Sequence, residues 1–93
     1  MEESGLIECG QVLDITSIDT WYKAAVEVLA KDEPLTIRSE ELQRIDAAGL
    51  QALTAIYQAA KEKNLNVTWQ APAAVLVDSA TLLGLHETLE LPA

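Results

Sequence analysis

The sequence predicts an α/β fold: a sandwich of a largely parallel central sheet of about four strands with three main helices, forming a single domain over residues 1–93. Three observations carry this. Short β-rich segments alternate with longer ones whose apolar residues recur at helical spacing. Strands that alternate with helices are joined by crossovers, which makes their pairing parallel. The length, 93 residues with 49% hydrophobic side chains, suffices for one two-layer core and is too short for two.

From Gly5 to Val12 the strand signal is weak, with Leu6, Ile7 and Cys9 before Gly10, which marks a turn or bulge. Thr16-Ser17-Ile18-Asp19 has the spacing of a capping box with Asp in place of Glu, and opens a helix over about 17–31. Ile18, Tyr22, Ala25 and Leu29 form its buried stripe, widened by Trp21 and Val28, and Asp32-Glu33-Pro34 ends it. Leu35-Thr36-Ile37-Arg38 is a central strand with Leu35 and Ile37 on one face. Residues 39–45 read as a polar crossover around Leu42.

The second helix is expected over about 47–63, with Asp46 as its N-cap and Leu50, Leu53, Ile56, Tyr57 and Ala60 towards the core. Lys61 and Lys63 suit the negative end of its dipole, and Asn64 is placed to end it. Asn66–Gln70 follows as a strand with Val67 and Trp69 on one face. Ala71-Pro72 is expected to start a third helix whose apolar side holds Val75, Leu76, Ala80, Leu82 and Leu83. Gly84-Leu85 has the pattern of a Schellman stop, and a short terminal strand is expected within His86–Leu91.

Several function classes fit the composition poorly. Fifteen acidic against six basic residues give a net charge of −9, and no Lys/Arg cluster exists to meet nucleic acid or an anionic membrane. Cys9 is the only cysteine, which excludes an intrachain disulfide and a zinc site built on several thiolates. No apolar run approaches the ~20 residues of a membrane span, and the acidic stretch Met1–Gly5 is unlike a signal peptide, so a cytoplasmic protein without membrane insertion is expected. His86 stands alone, Asp78-Ser79 has no partner histidine, and four scattered glycines build no phosphate-cradling loop. The expectation is a protein that is not an enzyme and needs no metal or other cofactor.

The informative stretch is Arg44-Ile45-Asp46-Ala47-Ala48-Gly49-Leu50, where a polar segment turns into a helix. Asp46 caps the helix and suits its positive end, while Ala47, Ala48 and Gly49 leave the first turn almost without side chains. Gly49 costs a helix about 1 kcal/mol relative to Ala, which points to a reason other than helix stability. An exposed, low surface open to close approach is the expected reason, so that Gly49→Arg would abolish binding and spare the fold.

Ile45-Asp46-Ala47-Ala48-Gly49-Leu50, between a strand and an amphipathic helix, resembles the Asp-Ser-Ser/Thr-Gly-Leu signature of STAS domains. The likeness extends from about Leu6 to Leu91 in the order of elements. It implies a STAS-like sandwich and a bacterial regulatory module, similar to the anti-sigma factor antagonists, that binds a protein through Asp46, Ala47, Ala48, Gly49 and Leu50. Partners of that kind are anti-sigma or sensor kinases and chemotaxis signalling proteins. An alternative is the cytoplasmic STAS subunit of an ABC-type phospholipid transport complex, seated on the transporter ATPase. Two departures stand out. Gly10-Gln11-Val12-Leu13-Asp14 displaces the acid of the family's Gly-Glu-Leu-Asp by one position, and Ala47 occupies the place of the serine that partner kinases phosphorylate. With Ala48 next to it, this helix start offers no hydroxyl for phosphate.

Overall fold

The computed structural model describes residues 5–92, so Met1–Ser4 of the acidic N-terminal stretch lie outside it. Strand β1 (Gly5–Glu8) alternates buried and exposed residues, as a strand covered on one face must. After a turn at Gly10, whose φ is +73°, comes β2 (Val12–Leu13), then helix α1 (Ile18–Leu29). Strand β3 (Leu35–Arg38) leads through a turn to β4 (Arg44–Ile45) and directly into helix α2 (Ala47–Glu62). Strand β5 (Val67–Gln70) and helix α3 (Ala74–Leu82) complete the regular elements.

The strands make two sheets, β1-β3-β5 and β2-β4, and every pairing is parallel. The described residues thus hold five strands where about four are expected. β4 is the addition: it lies inside the segment read as a polar crossover, where Arg44 and Ile45 pair with Val12 and Leu13. Ile7, Leu35 and Ile37 point to the helical side and are buried, while Leu6 and Glu8 on the opposite face are exposed. Leu13, Leu50, Leu53, Ile56 and Leu76 are buried between sheets and helices, each stabilising the fold by about 1.5–3 kcal/mol.

Helix α1 turns a slightly different face inward than expected. Ala25 and Leu29 are buried, but Tyr22 is 42% exposed. Trp21 is half-buried and its Nε1–H donates to the Glu8 carbonyl at 2.9 Å, so the larger ring covers the β1 edge. The capping box does not form. Ser17 is the N-cap residue and makes no side-chain cap bond: its Oγ accepts the Asp14 N–H at 3.1 Å, while Asp14 Oδ1 takes the Thr16 N–H and Oγ1–H at 3.0 and 2.6 Å.

The third helix starts at Ala74, later than expected, because Ala71 has a φ of +49° that no helix accommodates. Ser39 at the end of β3, the one buried polar residue among those described, accepts the Ala73 N–H at 3.1 Å. Gly84, at φ +72°, closes α3 in a Schellman motif, with Leu85 N–H on the Ala80 carbonyl and Gly84 N–H on that of Thr81. Asn64, at φ +61°, closes α2 with the same pair of bonds, to Ala60 and Lys61.

No strand follows. Within His86–Leu91 the chain makes a helical turn instead, with Leu89 N–H bonded to Leu85 O and Leu91 N–H to His86 O. Leu89 is fully buried, Trp69 Nε1–H donates to its carbonyl at 2.8 Å, and Tyr57 stacks on Trp69 at 5.8 Å while its hydroxyl bonds to Glu90.

Candidate functional site

The β4–α2 junction is built around one carboxylate. Asp46 has an extended backbone, φ −105° and ψ −178°, which suits an N-cap, and its Oδ1 accepts the Gly49 N–H at 2.8 Å. Its Oδ2 accepts the Ile15 N–H at 3.1 Å, and its own N–H donates to the Leu13 carbonyl at 3.3 Å. The cap of α2 is therefore also the tether of the β2–α1 loop. Asp14 organises that loop from within. The Thr16 hydroxyl bond, more than the Arg44 charge, holds the Asp14 carboxyl below the usual carboxylate range.

Gly49 has a role that the sequence reading misses. It is buried, and a Cβ built on it would overlap the Leu13 carbonyl oxygen, lie 2.8 Å from the Leu13 carbonyl carbon and stand 3.2 Å from Ile45 Cγ1. Its lack of a side chain lets α2 press directly on the β2 backbone. The expectation that Gly49 is exposed, and that Gly49→Arg spares the fold, is corrected accordingly. Leu50 is likewise fully buried.

Of the five predicted site residues, Asp46 and Ala47 are exposed, Ala48 is half-buried, and Gly49 and Leu50 lie beneath them. The helix start is thus a low surface of two alanines on an interior that cannot yield. Ile15, which the sequence does not single out, is 71% exposed on the loop that Asp46 tethers. A depression of about 300 Å³ lies on the other side of the cap, between Asp14, Arg44, Asp46 and Val75. Leu82 and Leu83, expected on the apolar side of the third helix, are 85% and 53% exposed at the C-terminal end of α3. A count of apolar residues cannot show that the short α3 buries only Leu76 and Ala80.

Cys9 is buried at the end of β1, where burial first and the Glu8 charge second push its thiol up to about 12. At neutral pH it is a protonated apolar side chain, a poor nucleophile. Among the described residues no three His, Cys, Asp or Glu side chains are grouped to hold a metal, and no helix is long and apolar enough to cross a membrane. What the junction offers chemically is a shaped, pre-set surface.

The chain matches, over residues 2–91, the family model described as Mlab, STAS domain. No curated protein matches it.

Proposed function

The chain belongs to the STAS domain family, and from that premise we propose that it is a non-enzymatic regulatory module of the cytoplasm. It docks a partner protein through the start of α2 and the loop before it, as an anti-sigma factor antagonist does. One observation supports this above the others: Ala47 is exposed on a helix start locked by Asp46 and Gly49, beside the exposed Ile15. A helix start of small side chains, with an exposed apolar neighbour beside its capping carboxylate, suits an interface whose core is apolar and whose rim is polar. Because Ala47 and Ala48 have no hydroxyl, docking here is constitutive or is controlled through the partner.

The partner is a sensor kinase of the anti-sigma type or a chemotaxis signalling protein. A second reading, the STAS subunit of an ABC-type phospholipid transport complex bound to its ATPase, is favoured by the description of the matching family model, which carries the label Mlab. It uses the same docking end.

Copurification of the tagged chain from its own cells tests both, with Ala47→Arg as the control. Arg is nearly as good a helix former as Ala, and its charge near the helix start costs about 0.3–1 kcal/mol, so the variant keeps its fold. The reading expects a stoichiometric kinase, receptor-linked protein or ATPase that Ala47→Arg loses. A stable Ala47→Arg variant that retains its partner undiminished places the interface elsewhere.

A further inference from the structure

Although 23% of the chain is charged, α2 has no charged residue between Asp46 and Lys61. Its exposed stripe runs through Ala47, Gln51, Ala55 and Gln58, positions where a solvated helix ordinarily carries Lys and Glu. Alongside it, the turn after α3 presents Leu83 and Leu85, and the 85% exposed Leu82, the last residue of α3, directly precedes Leu83. The α2 stripe with Leu83 and Leu85 lines a groove of about 440 Å³. From Ala47 to Gln58 it extends about 16 Å, or three helical turns.

The rim has the opposite character. Asp46 stands at one end of the stripe, and Glu62 lies one turn beyond Gln58 at the other. Asp78 precedes Leu82 by one turn on α3, and all three acids are exposed. Lys61, the cation at the end of α2, is paired with Glu90 at 3.3 Å. An uncharged floor within acidic margins is complementary to a helix whose apolar stripe is flanked by Lys or Arg. A second copy of this chain, itself carrying −9, and an anionic membrane would both be repelled by the same acids.

We propose that the groove between α2 and the turn after α3 receives a basic amphipathic helix of the partner protein. This rests on the docking reading above and extends it from the start of α2 along three turns of the helix.

The test uses two synthetic 18-residue peptides with leucine at i, i+3, i+4 and i+7 and either lysine or glutamate elsewhere. Each is titrated into the ¹⁵N-labelled full chain and followed by amide NMR. The lysine peptide should shift the amides of Gln51, Ala55, Gln58 and Leu83 and bind at least about tenfold tighter than the glutamate peptide. The Leu82→Gln/Leu83→Gln double variant should weaken it by about tenfold or more, and so should Gln58→Lys, which brings a cation into the floor. Both variants alter exposed residues, and melting curves check that they fold. Equal affinity for the two peptides, shifts scattered over the surface, no shifts, or indifference to both variants would each overturn the proposal. If the authentic partner is lost with Ala47→Arg but held by Leu82→Gln/Leu83→Gln, the groove is refuted while docking at the helix start stands.

Discussion

Replacing Gly49 with alanine should destabilise the domain even though alanine is the better helix former. On an isolated helix the change would gain about 1 kcal/mol. Here the new Cβ overlaps the Leu13 carbonyl, and that group is backbone, held by the pairing of β2 with β4. Relief requires α2 and β2 to separate, which weakens the Asp46 N–H bond to Leu13 and the Ile15 N–H bond to Asp46. Overpacking of this kind costs about 1–3 kcal/mol, and each hydrogen bond a further ~0.5–1.5 kcal/mol. Net of propensity, Gly49→Ala should lose about 1–5 kcal/mol, and for a domain of this size its melting temperature should fall by about 5–25 °C. Urea and thermal melts followed by circular dichroism give both numbers. Gly49→Arg should be worse, unfolding the domain or nearly so. A Gly49→Ala protein as stable as wild type would refute the close-approach argument and restore the glycine to the surface.

Other expectations can be checked on the same preparations. Asp46→Ala should cost about 1–3 kcal/mol and speed hydrogen exchange at the Ile15 and Gly49 amides together, since one carboxylate holds both; unchanged exchange at Ile15 would dissolve the tether. Raising the pH should destabilise the protein from about pH 9 upwards: the Cys9 thiol titrates at 9.0 when unfolded and at about 12 when folded, so the stability it lends is complete below 9 and drains towards 12. Cys9→Ala should flatten that slope, leaving the part due to Tyr57, whose hydroxyl is also shifted upwards, first by burial and then by Glu90. Trp69→Phe removes the bond to the Leu89 carbonyl and should cost about 1 kcal/mol, with faster exchange in the turn that Leu89 anchors. Ala47→Ser should become a substrate for a partner kinase in a labelling assay in which wild type stays blank; labelling of wild type would show a different acceptor.

Legibility in the sequence followed the range of the interaction. The Asp46 cap is visible because its Oδ1 bond to Gly49 lies within one turn of the same chain segment. The Schellman stop at Gly84-Leu85 is visible for the same reason. Gly49 was suspicious by propensity, but the atom that excludes its side chain sits on β2, across α1 in sequence, and nothing local announces it. β4 was hidden because two residues cannot display an alternation. At the C-terminus, Leu89 and Leu91 alternate as in a strand, yet Leu85 and Leu89 are equally a helical pair, and the long-range bond from Trp69 accompanies the helical turn. Tyr22 and Trp21 compete for the edge of one stripe, and the reach of the indole to Glu8 favours Trp21.

The contact of Gly49 with Leu13 also bears on the heat of complex formation. Because α2 and β2 meet backbone to backbone, and Asp46 ties the β2–α1 loop to both, the proposed docking end has little internal freedom left to lose when a partner arrives. Its association should carry a negative heat-capacity change set by the apolar surface covered around Ala47 and Ile15, without the larger change that accompanies a segment ordering on contact. In Gly49→Ala, once that rigidity is released, calorimetry of the same association should show the heat-capacity change grow more negative as the loosened junction is forced to reorder.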